Sequence, residues 1–128
     1  MNTLITSGIQ ISVSTYYRSD LSDIGVSQYF FNYRIVIENT NEYDVQLLVR
    51  DWYIFDSLNE VQYVNGQGVI GEQPILKPGE SFQYTSGCEI FSDLGYMKGF
   101  YTFKNLVDHS LFHVYVPKFK LEYPGKLN

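Results

Sequence analysis

One cysteine, four prolines and nine basic residues are all that this 128-residue sequence has of each, and every scarcity excludes something. The lone thiol, Cys88, cannot close an internal disulfide, so a hydrophobic core has to hold the fold, and a reducing, cytoplasmic setting is expected. The opening stretch, Met1-Asn2-Thr3-Leu4-Ile5-Thr6-Ser7-Gly8, has no basic segment followed by an apolar one, so no export signal is expected. No apolar run approaches the about 18 residues of a membrane-spanning helix. The 9 Lys and Arg are scattered and outnumbered by 14 Asp and Glu, for a formal charge of -5. A phosphate backbone would be repelled on average, and neither nucleic acid nor a membrane is expected as a partner.

Helical periodicity is also missing. No segment keeps apolar residues at a spacing of 3.6 for three turns; the pattern has period two instead, which is that of half-buried strands. Ile9, Ile11, Val13, Thr15 and Tyr17 alternate with Gln10, Ser12, Ser14, Tyr16 and Arg18, and Tyr29, Phe31, Tyr33, Ile35 and Ile37 alternate with Phe30, Asn32, Arg34, Val36 and Glu38. Between 45 and 56 only Gln46, Arg50 and Asp51 interrupt an apolar run before its terminal Asp56, as expected of a strand in mid-sheet covered on both faces. A short strand at 61–64 follows a polar turn.

Pro78-Gly79 fits a type II turn, with Pro fixing φ near about -65° and Gly accepting positive φ. A strand from Ser81 to Ser86 follows, with Gly87 marking a bulge or an ending. Residues 97–106 and 111–119 form a final hairpin whose Phe112, Val114 and Val116 share a face. The expectation is an all-β, two-sheet immunoglobulin or fibronectin type III-like sandwich of about seven strands with no substantial helix. It forms a single domain over residues 1–128, with 45% hydrophobic residues to fill its core.

From Val45 to Met97 the sequence resembles the ApaG family of small bacterial β-sandwich proteins. The resemblance rests on Gln46-Leu47-Leu48, Arg50, Trp52, the run Gly66-Gln67-Gly68-Val69-Ile70-Gly71-Glu72-Gln73-Pro74, Leu76, Pro78-Gly79-Glu80, Phe82, Tyr84, Ser86-Gly87, Gly95 and Met97. It continues through Gly99, Tyr101, Phe112, Val116-Pro117 and Phe119. It implies a fibronectin type III-like sandwich. It also implies links to cobalt and magnesium resistance or efflux, to nucleotide or pyrophosphate binding, and, through related domains in eukaryotic F-box proteins, to protein recognition. A shared fold does not carry a shared mechanism.

Gly66 to Gly71 matches G-x-G-x-x-G, whose nucleotide logic needs a strand before it and a helix N-terminus after it. The strand is expected, but Pro74 and Pro78 and the missing helical period leave no helix. Two readings remain for the segment: glycines that permit turns and close packing, or an anion nest of backbone N–H groups at residues 66–73. The second makes Arg50, Gly66, Gly68, Gly71, Glu72 and Gln73 the candidate ligand-binding residues. Arg50 reads either as a contact to phosphate or carboxylate, or as a salt bridge or carbonyl clamp to its own loop.

Trp52 is expected in the core. Tyr16, Phe30 and Tyr115 fall on wet faces, where clustering would make a patch for a partner. His109 and His113 lie on a turn and a strand rather than on one helical face, so no metal site is assigned. Cys88, beside Glu89, reads as a small strand residue. No nucleophile elbow or paired carboxylates appear, so no catalytic residue and no cofactor are expected.

The chain therefore reads as a non-enzymatic binding or protein-interaction module. Small-ligand binding, of nucleotide, pyrophosphate or a divalent metal complex, is the alternative, and hydrolysis of phosphoanhydrides the third. An edge strand near 9–18 could pair two chains into a homodimer.

Overall fold

A computed structural model of the chain describes residues 2–127; Met1 and Asn128, the ends of the expected domain span, lie outside the described residues. Nine strands run antiparallel: β1 (Asn2–Thr6), β2 (Ile9–Tyr17), β3 (Tyr29–Asn39), β4 (Val45–Asp56), β5 (Gln62–Gln67), β6 (Ile75–Leu76), β7 (Ser81–Ile90), β8 (Leu94–Asn105) and β9 (Leu111–Glu122). They form two sheets, one ordered β1-β2-β3-β7 and the other β5-β4-β8-β9, with β6 paired to the start of β4. Among the described residues, helical structure is confined to single 3-10 turns at Ser19–Leu21, Ile24–Val26 and Pro124–Leu127. The chain is an all-β sandwich.

The alternation read from sequence decides what is inside. Ile9, Ile11 and Val13 of β2 and Phe31, Tyr33, Ile35 and Ile37 of β3 are buried against Leu47, Trp52, Met97, Tyr101, Phe103 and Phe119 of the other sheet. Trp52 is the hub, with edge-on contacts to Tyr33, Tyr101 and Phe119 at ring separations of 5.6, 6.2 and 5.9 Å. At Lys77-Pro78-Gly79-Glu80, Gly79 has φ of 83° and Glu80 N–H donates to Lys77 O at 2.9 Å, as the turn chemistry requires.

Four details differ from the sequence reading. First, β1 and β6 add two strands to the expected seven. β1 returns into β2 through Ser7-Gly8, both with positive φ, the geometry of a tight hairpin turn. Second, β1 covers the edge of β2 from Ile9 to Val13, so of the expected edge only residues 14–17 stay uncovered; β5 and β7 are the exposed borders on the other side. Third, β7 continues through Gly87 to Ile90, and the glycine makes room for the Phe30 ring, which a Cβ would meet at 2.5 Å. The bulges fall at Leu47/Val49 and Met97/Gly99 instead. Fourth, β4 is covered on its inner face only: Tyr53 and Phe55 point outward, half-exposed, with no second layer over them.

Candidate functional site

The sandwich is bridged by β1 along part of one side, where a depression of about 580 Å³ lined by Val13, Ser14, Thr15, Lys118 and Lys120 remains beyond the end of β1, and it is open along the other. On the bridged side β1 leans across to β9: Asn2 Nδ2 donates to Lys118 O at 3.2 Å, and Tyr115 N–H donates to Thr6 Oγ1 at 3.3 Å. On the open side, between the borders β5 and β7, a cleft of about 400 Å³ enters between the sheets. Tyr33, Trp52, Tyr84 and Ser86 line it from the strands, and Gln67, Val69, Ile70 and Gly71 from the glycine loop. An adjoining recess of about 180 Å³ shares Tyr33, Arg50, Trp52 and Ser86 and reaches Val64, Cys88 and Met97.

Arg50 stands at the mouth. Its Nη1 donates to the carbonyls of Gln67 at 3.1 Å and Gly68 at 2.8 Å, which is the carbonyl clamp rather than a salt bridge. Among the described residues the one ion pair is Arg18–Asp20, and no hydrogen bond engages Nε or Nη2 of Arg50. Gly66, paired with Arg50 across the β4–β5 ladder, lies under the guanidinium; a Cβ there would sit 2.7 Å from Cζ and Nη2.

The loop itself is a tight hairpin. Val69 and Glu72 exchange backbone bonds, N–H to O at 2.8 and 3.0 Å, around Ile70 (φ 49°) and Gly71 (φ 74°). Positive φ at both central residues is the type I′ pattern, which suits Gly71 and strains a β-branched Ile70. Gly68, at φ 64°, passes so close to the returning chain that a Cβ would lie 2.0 Å from Glu72 O. Gly68 N–H and Gln73 Nε2 both donate to Leu48 O, at 2.8 and 2.9 Å, which pins the loop to β4.

Of the six residues singled out from sequence, Arg50 and Gly71 border the cleft directly. Gly66 and Gly68 make room for the clamp and the return, and Glu72 and Gln73 hold the frame. Because the N–H groups of Val69 and Glu72 are engaged inside the loop and that of Gly68 by Leu48 O of β4, the N–H groups left at the loop tip for a nest are those of Ile70 and Gly71. β6, not a helix, follows the loop.

The hydroxyls were not singled out. Tyr33 lies opposite Ser86 across the β3–β7 ladder, and Tyr84 is hydrogen-bonded to the fully buried Tyr101. Burial pushes the hydroxyls of Tyr33, Tyr84 and Tyr101 above the usual phenol range, and the nearby Arg50 charge only partly opposes it. All three stay neutral at physiological pH, and within the Tyr84–Tyr101 pair one hydroxyl donates to the other. The available signal was tyrosine at inward positions of β3, β7 and β8, since a buried phenol needs a partner.

Tyr16, 52% exposed, and Phe30 lie on the outside of the first sheet, whereas Tyr115 lies on the outside of the second, so the three do not form one patch. His109 sits on the β8–β9 turn, and His113 packs its ring on Phe100 at 4.6 Å. No group of three His, Cys, Asp or Glu among the described residues could hold a metal ion. Among those residues, too, no helix is long and apolar enough to cross a membrane.

The profile of the ApaG domain matches residues 19–105, which takes in the clamp, the glycine loop and most of the cleft. The chain belongs to the ApaG domain family. Protein ApaG of Mesorhizobium japonicum is 41% identical over 121 residues, 94% of this chain and 92% of its relative. Protein ApaG of Brucella anthropi is 43% identical over 120 residues, again 94% and 92%. The crystal structure of a Bordetella pertussis protein named ApaA superposes with a TM-score of 0.87 at 39% identity, covering 91% of this chain and 94% of that one. The ApaG resemblance and the all-β sandwich are thus both found.

Proposed function

We propose that this ApaG protein is a binding module whose inter-sheet cleft takes a small anion, phosphate or carboxylate, carrying an apolar portion. The observation behind the reading is Arg50. It is a guanidinium held at the mouth of a cleft of about 400 Å³ by two loop carbonyls, with no carboxylate partner and with its second edge unengaged. A half-buried cation without a counter-ion favours an anionic visitor, and the planar fork suits two oxygens at once. The neutral tyrosine hydroxyls supply further hydrogen-bonding groups, and the recess beside Val64 and Met97 suits an apolar group.

The pyrophosphate and nucleotide link implied by the family resemblance fits this chemistry. A divalent ion such as magnesium or cobalt would enter as a complex with the anion. Binding rather than hydrolysis is proposed, because the groups facing the cleft are donors and aromatic rings without a general base beside a nucleophile.

Calorimetric titration with pyrophosphate, ATP and N-acetyl-leucine, each with and without magnesium, tests the reading. A saturable heat for at least one ligand is expected, weakened at least tenfold in Arg50→Ala and not restored by Arg50→Lys, with the fold retained. No saturable heat at millimolar ligand, or equal heat in Arg50→Ala, would overturn it. Phosphate release from ATP would instead favour the hydrolase.

A further inference from the structure

The two outer faces of the sandwich differ in chemistry. The outside of β2-β3-β7 is mostly polar, with Gln10, Ser14, Asn32, Arg34, Glu38 and Gln83, and carries Tyr16, Phe30 and Val36 among them. The outside of β5-β4-β8-β9 presents aromatic rings and lysines. Phe55 and Tyr96 stack at 4.3 Å, Tyr53 and Tyr63 pair at 4.9 Å, and Phe100 packs between His113 at 4.6 Å and Tyr115 at 6.0 Å. A groove of about 590 Å³ runs among them, lined mainly by Tyr53, Phe55, Lys98, Phe100, Tyr115 and Lys118. The near-continuous apolar run of β4 is what a strand covered on both faces shows, yet this face carries no second layer.

Charge is concentrated here too. In a chain of net charge -5, Lys98, Lys104, Lys118 and Lys120 all fall on this face. None forms an ion pair with a described residue. Lys118 Nζ lies 3.9 Å over the Tyr96 ring and Lys98 Nζ 5.5 Å over Phe55. The face's central carboxylate, Asp51, is buried and engaged by Tyr63 Oη and by Asn65 Nδ2 at 2.7 Å.

We propose that this groove docks an acidic peptide segment of a partner protein, its apolar side chains between the rings and its carboxylates on Lys98 and Lys118. Charge complementarity selects an acidic occupant. The ring pairing favours peptide over single-stranded nucleic acid, because Phe55 and Tyr96 turn their flat faces to one another and lysine covers Tyr96. The overall negative charge also repels a polyanion more than a short acidic segment. The proposal rests on the binding-module reading but not on its cleft.

Fluorescence anisotropy with a fluorescein-labelled peptide alternating Glu or Asp with Leu or Phe tests it, beside a Lys-substituted control peptide and labelled oligodeoxythymidine. Expected are saturable binding of the acidic peptide alone, weakening with added salt, and a loss of at least tenfold in the Lys98→Glu/Lys118→Glu double variant. Both lysines are exposed, so the variant should melt like the parent. Arg50→Ala should bind the peptide unchanged, which separates this face from the cleft. No binding at millimolar protein, unchanged binding by the double variant, loss in Arg50→Ala alone, or tighter binding of the oligonucleotide would each overturn the proposal.

Discussion

The two long sides of the sandwich solve the same problem in opposite ways. Where β1 lies over β9, side-chain to backbone bonds from Asn2 and to Thr6 bridge the sheets. Where β5 faces β7, no strand crosses; instead a cation and tyrosine hydroxyls, over a tryptophan floor, line the gap. The bridged side is explained by strand pairing and these hydrogen bonds. The open side keeps a guanidinium that clamps two loop carbonyls but has no carboxylate partner, and a β-branched residue at positive φ, which stability opposes.

The sharpest way to break this contrast is at Trp52, which serves both the core and the cleft floor. Trp52→Ala should cost about 3–5 kcal/mol in urea unfolding, because the ring fills space among Tyr33, Tyr101 and Phe119 that they cannot collapse into. A cost under about 1 kcal/mol would mean that the floor is not part of the packed core.

Next comes a pair of glycines, Gly68 and Gly71, three positions apart in sequence but unlike in surroundings. Gly68→Val should destabilise by roughly 3 kcal/mol, through both its left-handed backbone and the collision with Glu72 O. Gly71→Ala meets nothing within 4 Å, so only the backbone cost of about 1–2 kcal/mol remains. Equal losses in chemical denaturation would show that the loop is not pinned as described. A milder probe is Ile70→Asn, which relieves a β-branched residue at φ 49° on an exposed tip and should stabilise by about 1 kcal/mol. Thr6→Ala, on the bridged side, should instead lose about 0.5–1.5 kcal/mol with its hydrogen bond to Tyr115. Opposite signs in paired melts are the expected outcome.

Strand periodicity placed β2, β3, β4, β7, β8 and β9 because each has a long inner face and turn residues at its ends. β1 escaped because its residues are exposed and its polarity alternates weakly, although Ser7-Gly8 is a hairpin signal that could have found it. Arg50 was readable as a candidate, but which of its two edges is engaged depends on how β4 and β5 pair. Tyr33, Tyr84 and Ser86 converge from strands far apart in sequence, so no spacing could announce them. The apolar run of β4 was read as double coverage; a bare aromatic face gives the same run, and only the missing second layer separates the two.

The smallest and most local test concerns Cys88, which reaches the recess on the open side. Burial first, and then the nearby Asp56 and Glu89 carboxylates, push its thiol up to about 11. Since the thiolate is the reactive form, iodoacetamide at pH 8 should label the native chain far more slowly than the urea-unfolded one, whose thiol titrates near about 8.5. The folded value is raised, so Cys88 supports the native state fully below the unfolded value. That support is lost as pH rises from about 8.5 towards about 11. Melting temperatures of the parent should therefore fall faster than those of Cys88→Ala above pH 9 and run parallel below pH 8. Rapid native labelling at pH 8 would show that the open side breathes enough to solvate the recess, and the division into a bridged side and a preformed cleft would give way to one between a rigid side and a mobile one.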